Sequence, residues 1–595
     1  MSCDKLVFDL SQEVEGSPNV FIRKDWLNIL DNQNQNYQNN QSIIDTSQLA
    51  NSNKYMSYRE AYLAVPMLLS IRAPNASTGA YTINDYGVGL KNWFGQIIHS
   101  MTLDYNGTTI VQQTPFCNMW NSFKLMTTLS WADVATQGAT IGFYPDTSDA
   151  WIYNVNSTWV NNNEISQFET SLSSLKTNNY RQPLSLNGST LDGLTPQVGG
   201  NYGLGNRIKW IAFDTTAGNA GGATYGQIGV LASNMTQIWK SNISNKAGAT
   251  TTQGAILQIS VMATIYLKHI HSFFNMCPLL KGVFMKMTLN LNNSNCSITT
   301  DELNVFSSYS STSYIGGVVP IMVSGQTSGS SYTVNVTNVP ADATFYYDLM
   351  VGSKSYNQNI INASATSGGA IYQEGNLAKS VYMYIPAYTF NPTFEKAYLS
   401  NNIKQIKYTD IYQYQVLNVP ASSQFNNLIT NGIANIKSVL IIPFYANVAT
   451  SIVAGAPVLG ATYAEYQSPF DPAGCCQTAP MVSLGNFNIQ ISGQNAIYNM
   501  QRYNFEEWNN QLYGQNAVNG GLTDGLTSGL INFNDFQSSA CYYYVNVERM
   551  LPVEQSVPKS VQILGTNYST MPLNLWVFIE YGVQVSIDVL TGARV

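Results

Sequence analysis

The sequence predicts an all-β protein with minor helices, built as two similar β-sandwiches in tandem. Two kinds of observation carry that expectation: a hairpin-plus-helix unit that occurs twice, and runs in which apolar and polar residues alternate at the period of a half-buried strand. The first copy of the unit spans Gly95 to Met126, and a degraded copy returns from Gly485 to Leu512. In the first, Met101, Leu103 and Tyr105 alternate with polar residues, Asn106-Gly107 follows, and Thr109-Ile110-Val111 leads back. That pattern is a strand, a type I′ turn and a returning strand. Phe116, Met119, Trp120 and Phe123 then share one helical face, with Thr114-Pro115 expected as cap and first helical residue. In the second, Phe487, Ile489 and Ile491 alternate, Ser492-Gly493 turns, and Ile497 and Met500 return. Phe505, Trp508 and Leu512 form the apolar stripe of the second helix, with Asn504 and Glu507 as its capping box. Gly107 and Gly493 are 386 positions apart, Trp120 and Trp508 are 388 apart, and Asn follows both tryptophans. Solenoid repeats run roughly 20 to 50 residues, so this spacing means two similar domains.

Composition narrows the class. Charged residues make up 10% of the 595, against a usual ~25%, while aromatic residues reach 12% with 38 Tyr. The polar surface is therefore mostly Asn, Gln, Ser, Thr and Tyr. So little charge protects a monomer poorly against self-association, which points to a surface that ends up against other subunits; codon bias toward Asn and Tyr is the alternative source. A net charge of -7 with no basic cluster argues against electrostatic nucleic-acid binding. Met1 to Gly16 carries Asp4, Lys5, Asp9, Glu13 and Glu15 without an apolar core, unlike a signal peptide. The longest apolar run, Ala61 to Leu69, contains Pro66 and is far short of the roughly 18 residues of a membrane helix.

Along the chain, residues 1–40 read as an arm, with an Asn/Gln-rich linker from Asp31 to Gln41. The first sandwich is expected over 41–392 and the second over 393–595. Ser42 to Ala73, Ala255 to Leu267, Gly282 to Asn292 and Val381 to Phe390 supply strand patterns in the first, besides the hairpin. Insertions rich in Gly, Ser, Thr and Asn occupy 129–250 and 293–378; the first is expected to carry its own β-structure, including Ile208 to Phe213. Because the chain runs out along Ala255 to Leu267 and back from Gly282, both insertions should rise from one end of the sandwich and pack on each other. In the second half Ile403 to Val419, Ile436 to Ala446, Tyr542 to Val547 and Val561 to Leu564 are strand-rich. At the end, Leu573, Leu575, Val577, Ile579, Tyr581, Val583, Val585, Ile587 and Val589 are apolar at every odd position. This is one long strand, or two joined by a bend at Gly582.

Two eight-stranded sandwiches, each with a helix after its hairpin, suggest a double jelly roll with long loop insertions in the first. Two segments carry a family resemblance: His271-Ser-Phe-Phe-Asn-Met-Cys-Pro-Leu-Leu-Lys-Gly282, and Ile385-Pro-Ala-Tyr-Thr-Phe-Asn-Pro392 followed by Ile406-Lys-Tyr-Thr-Asp-Ile-Tyr-Gln-Tyr-Gln-Val416. They resemble the major capsid proteins of virophages and related Polinton-type elements. The resemblance implies a non-enzymatic shell protein of the virion, assembled in the host cytoplasm as homotrimeric pseudo-hexagonal capsomers. It implies partners in copies of itself and in a minor or penton capsid protein, no cofactor, and insertions facing outward as a tower. Three chains with two similar sandwiches each would fill a near-hexagonal tile with six similar units.

Sites of chemistry are weaker. Asp45-Thr46-Ser47 and Asp146-Thr147-Ser148 look superficially like aspartic-protease loops but have Ser where backbone approach needs Gly. His269, His271 and Cys277 could ligate a metal, though the spacing is unspecific. His99 is the remaining histidine, and no Ser/His/Asp set assembles around any of the three. Gly203-Leu-Gly205 lacks the third glycine of a dinucleotide loop. Glu506-Glu507 is the obvious carboxylate pair, yet neighbours on a helix point apart and serve its N-terminus. Catalytic, cofactor and metal sites are therefore all expected to be absent. The alternatives are a secreted carbohydrate-binding or glycoside-cleaving sandwich, which requires export and paired carboxylates, and an outer-membrane barrel, which requires regularly spaced ten-residue strands.

Seven cysteines, Cys3, Cys117, Cys277, Cys296, Cys475, Cys476 and Cys541, show no C-x-x-C spacing, and adjacent residues such as Cys475-Cys476 bridge only with strain. Thiol titration of the denatured, unreduced protein is expected to find nearly all seven free, and mild reduction to leave the fold intact.

Overall fold

Alternation decides where strands form. In Met285–Leu291 the odd positions Met285, Met287, Leu289 and Leu291 are buried, while Lys286 is exposed and Thr288 and Asn290 are half-buried. The structure, a computed structural model, describes residues 19–72, 88–143, 235–242, 255–352, 380–446, 482–513, 529–569 and 572–595, apart from short stretches within those ranges. The first half contributes strands β1 (Phe21–Leu30), β2 (Gln41–Asp45), β3 (Tyr62–Arg72), β4 (Ile98–Tyr105), β5 (Thr108–Val111), β6 (Ala255–Tyr266), β7 (Met285–Leu291) and β8 (Tyr382–Phe390). The second half contributes β9 (Ile403–Val419), β10 (Gln424–Ile433), β11 (Ile436–Tyr445), β12 (Leu484–Ile491), β13 (Gln494–Asn495), β14 (Tyr543–Asn546), β15 (Lys559–Asn567) and β16 (Leu573–Asp588).

Every pairing among these strands is antiparallel, and the orders repeat. The first half pairs β1-β8-β3-β6 in one sheet and β2-β7-β4-β5 in the other; the second pairs β9-β16-β11-β14 and β10-β15-β12-β13. Adding eight to each strand number converts one half into the other. Each half is a jelly roll, so the fold is a double jelly roll. A helix stands between the fifth and sixth strands of both: α1 (Cys117–Thr128) in the first, followed by α2 (Trp131–Ile141), and, after α3 (Leu267–Ile270), α4 (Ser272–Met276) and α5 (Pro392–Leu399), α6 (Phe505–Tyr513) in the second.

The duplicated hairpins have the expected turns. Asn106 and Gly107 have φ of 46° and 78°, and Ser492 and Gly493 have 50° and 81°, the two positive angles of a type I′ turn. The returning strand of the second is only Gln494–Asn495, and Met500 lies outside the described residues. Helix α1 starts two residues later than its sequence signal. Phe116 caps it in the left-handed region at φ 58°, because the Thr114 hydroxyl donates to the Ile411 carbonyl of the second half instead of capping. Asn504 does cap α6, accepting from the Glu507 N–H at 2.9 Å, but Glu507 turns its carboxylate to Gln511 and leaves the box half made.

Two segments differ from the sequence expectation. Phe21–Leu30, expected within an arm over 1–40, is β1, paired with β8 along its whole length, its inward Ile29 buried in the core. Residues 131–141 of the first insertion are helical, because Ser130 and Asp133 form a reciprocal capping box and Gly142 closes the helix at φ 65°. Ile208 to Phe213 lies outside the described residues. Gly582 neither bends nor breaks β16, whose pairing with β9 runs from Leu573 to Asp588.

The described sheet strands of the two insertions lie at one end of the first sandwich, with β3 and β6 between Met235–Asn242 and Thr344–Val351. Strand β3 pairs with β8 through Tyr62–Ala64 and then with Thr344–Val351 of the second insertion through Met67–Arg72. Met235–Asn242 of the first insertion pairs with the other edge of β6. The sheet thus continues past the sandwich, widened by Ser294–Thr300 and Phe306–Ser313. Pro66 sits at the seam where β3 exchanges partners. Its carbonyl accepts from the Gly352 N–H, and the N–H it lacks would face the same edge, where the pairing with Thr344–Val351 ends.

Gly493 has no atom within 4 Å of where a Cβ would stand, so a side chain there meets only the left-handed backbone penalty. Gly493→Ala is expected to cost ~1 kcal/mol, read as a lowered unfolding midpoint with unchanged far-UV circular dichroism.

Candidate functional site: the junction of the two sandwiches

Among the described residues, a set of buried aromatic and charged groups joins the two halves. It is built on α1, whose 3.6-residue period places Phe116, Trp120 and Phe123 on one side. Phe116 stacks tilted on Trp576 at 4.3 Å between ring centroids, and Trp120 on Phe578 at 6.2 Å. Phe123 reaches Trp508, Tyr542 and Tyr544 at 6.0, 5.2 and 5.8 Å. Trp576 and Phe578 occupy even positions of β16, on the face opposite its core-facing odd residues, and both are buried. The outer face of this sheet is thus dry, covered by a helix from the other half.

Polar groups in the junction are satisfied across it. Lys124 Nζ lies 3.4 Å from Glu580 Oε1 and 5.0 Å over the Trp120 ring, and Ser438 donates to Glu580 Oε2 at 2.8 Å. Burial alone would raise the Glu580 pKa; the Lys124 ammonium, with the Ser438 and Thr409 hydroxyls, outweighs it and holds the carboxyl below its ordinary value. Tyr408 donates to the Ile110 carbonyl, and Ser272 Oγ both donates to the Thr409 carbonyl at 2.5 Å and accepts the Thr409 N–H at 3.0 Å. The Leu530 N–H reaches the Met126 carbonyl at the end of α1 at 2.9 Å. Gly529, at φ 55°, lets the chain pass where a Cβ would stand 2.3 Å from that same carbonyl.

The residues singled out in the sequence are spread through the scaffold. His271 accepts the Phe273 N–H on Nδ1 at 3.1 Å, so its neutral ring carries the proton on Nε2, which faces Asp410 Oδ1 at 3.4 Å across the junction. His269 packs edge-on against Trp93 and Tyr266, both at 6.2 Å, and burial lowers its pKa to about 4. Cys277 is buried, which pushes its thiol up. Among the described residues no three His, Cys, Asp or Glu side chains gather as a metal site. His99 meets Phe116 edge-on at 4.8 Å, and burial lowers it to about 4. Asp45 accepts the Ser47 N–H at 2.7 Å and the Thr46 hydroxyl bonds the Met285 backbone, so this Asp-Thr-Ser is a turn stitched to β7. Asp146-Thr147-Ser148 and Gly203-Leu-Gly205 lie outside the described residues. Glu506 is exposed and Glu507 half-buried at the start of α6. Cys117, Cys277, Cys296 and Cys541 are buried thiols in no disulfide, and burial raises Cys117 to about 12 and Cys541 to about 11. No described helix is long and apolar enough to cross a membrane.

The pairing of α1 with β16 escaped sequence reasoning. Its signal was the aromatic pair Trp576 and Phe578 at even positions of an otherwise alternating strand.

The Glu580 pair makes stability depend on acid pH. A carboxyl held below its ordinary 4.5 contributes fully above that pH, and the contribution is lost as pH falls through the folded value. Glu580→Gln is expected to flatten the pH dependence of the unfolding midpoint below about pH 4.5. At pH 7 it should cost on the order of 2 kcal/mol, less than a fully buried pair, because Lys124 keeps 31% of its side chain exposed.

Comparison with known proteins returns solved shell proteins. The chain is similar to the mavirus major capsid protein at 9% identity and TM-score 0.46, covering 98% of this chain and 92% of that one. It is similar to a chain of the Sputnik virophage cryo-EM structure at 9% identity and TM-score 0.45, covering 98% and 90%. It is also similar to the Faustovirus major capsid protein at 8% identity and TM-score 0.42, covering 98% and 94%. No family model matches the sequence, and no curated protein matches it.

Proposed function

We propose that this chain is a viral major capsid protein that self-assembles into homotrimeric, pseudo-hexagonal capsomers tiling an icosahedral shell. One observation carries the reading: the same eight-strand order occurs twice, and the two copies are joined side by side through a helix of one and a sheet face of the other. A repeat of this kind inside one chain gives three chains six similar units, which suits a near-hexagonal tile. The resemblance of His271 to Gly282, Ile385 to Pro392 and Ile406 to Val416 to virophage capsid sequences agrees with it.

In this reading the first jelly roll runs to residue 392 and the second from 393, and the chain acts as a building block without catalysis or cofactor. Among the described residues, His271 faces Asp410, Asp45 sits in a turn and Glu580 pairs with Lys124. Its partners are copies of itself, neighbouring capsomers and a minor or penton protein at the vertices. It sits in the virion, is assembled in the host cytoplasm, and does not bind nucleic acid specifically. The insertions at one end of the first sandwich form the outward tower.

Light scattering of the purified protein at neutral pH is expected to give three times the 65.5 kDa chain mass, and negative-stain images hexagonal rings or shells. A monomer over the whole concentration range defeats the proposal.

A further inference from the structure

His99 is lodged where the second insertion meets the first sandwich. It is the second residue of β4, only 7% exposed, and its Nδ1 is buried with no hydrogen-bond partner among the described residues. Phe116 closes one side of the ring, edge-on at 4.8 Å, and itself stacks on Trp576 in the junction. Gly317 of the second insertion closes another. A Cβ on Gly317 would stand 2.6 Å from Nδ1 and 2.9 Å from Asn292 Oδ1, so it is bare backbone that covers the ring.

Gly317 opens a short segment that is packed into the first sandwich. Val318, Val319 and Ile321 are fully buried. Asn292 donates its amide to the Val318 carbonyl, the Lys91 N–H donates to the Pro320 carbonyl at 2.7 Å, and Ile321–Val323 pairs with Val88–Leu90. A neutral imidazole fits this lodging. Protonation of Nδ1 would set a charge and an N–H against the Gly317 backbone, and the new donor reaches water only if that backbone moves away. The groups packed on the ring, Phe116 from α1, Asn292 from the end of β7 and Gly317, carry no charge to offset this. Lys124 of α1 is paired with Glu580, and the Lys91 ammonium acts on Cys296. Burial is accordingly the one cause that lowers the His99 pKa to about 4.

We infer that His99 is an acid-sensitive latch: proton uptake on Nδ1 releases residues 315–323 of the second insertion from the first sandwich. This goes beyond the building-block role proposed above and applies to one chain whether or not it assembles. The direction follows from linkage. The closed segment keeps the ring neutral, whereas a released ring titrates near the ordinary 6.5. Closure is therefore at full strength above that pH. As pH falls from 6.5 to about 4 the open form gains roughly tenfold per pH unit, and the gain levels off below.

The test is amide hydrogen exchange of the full chain at pH 7 and pH 5, corrected for intrinsic rates and read on peptides covering 315–323. At pH 5 Glu580, held below 4.5, keeps its charge. Wild-type exchange in this segment is expected to rise at least tenfold between the two conditions, and His99→Gln, neutral at both, to rise at least threefold less. His269→Gln, which removes the other histidine lowered to about 4, should respond as the wild type does. A smaller wild-type rise, a rise in His99→Gln within threefold of the wild type's, or loss of the response in His269→Gln overturns the inference. If His99→Gln does not fold, slow exchange at the imidazole Cε1–H of the wild type decides, because it follows the protonation of each of the three histidines. His99 protonation that coincides with the opening of 315–323 supports the latch, and opening with His99 still neutral overturns it.

Discussion

The structure depends on the burial of both faces of β16. A sheet in an antiparallel sandwich ordinarily keeps one face in water, yet Trp576 and Phe578 lie against α1 while Leu575, Val577 and Ile579 fill the core behind them. Each large side chain sealed in this way contributes roughly 1.5–3 kcal/mol, and the helix that seals them belongs to the other half. Two sandwiches that could have been beads on a string thereby become one block. The polar groups trapped in the seal must find partners across it, which is why Lys124 meets Glu580, Tyr408 the Ile110 carbonyl and Thr114 the Ile411 carbonyl.

Because the junction fixes one end and side of the first sandwich, its growth is directed elsewhere. Met235–Asn242, Ser294–Thr300, Phe306–Ser313 and Thr344–Val351 of the insertions extend the existing sheet at the end where β3 and β6 outrun β8, while Ile321–Val323 and the Gln326–Thr333 hairpin pair apart from it. Hydrogen bonding to strands that are already rigid spares the added segments from needing a complete core of their own. The second half has only Tyr568 to Pro572 between β15 and β16.

The titratable residues follow the same logic. His99 and His269 are buried against aromatic rings and held neutral, the four described thiols are buried and raised, and His271 is committed to Asp410. Reactive groups tend to sit partly exposed and beside activating charges. Here desolvation is the leading cause of nearly every large shift, as expected of groups that serve packing.

Local physics was legible in the sequence wherever a residue's own neighbours decide the outcome. Asn106-Gly107 and Ser492-Gly493 set their turns because two successive positive φ angles favour Gly and Asn. The alternation of β7 and β16 set strand and inward face, and the recurrence of hairpin and helix set the duplication and hence the double jelly roll. What required the tertiary structure were the events in which distant residues compete for one partner. The Thr114 hydroxyl left its helix for Ile411, moving the cap to Phe116; Glu507 left its capping box for Gln511; β1 was recruited from the supposed arm by the free edge of β8. The covering of β16 by α1 belongs here too: Trp576 and Phe578 announced that a second face would be buried, but a one-dimensional pattern records only that a surface avoids water, and which surface meets it depends on how two sandwiches 386 residues out of phase come to lie together.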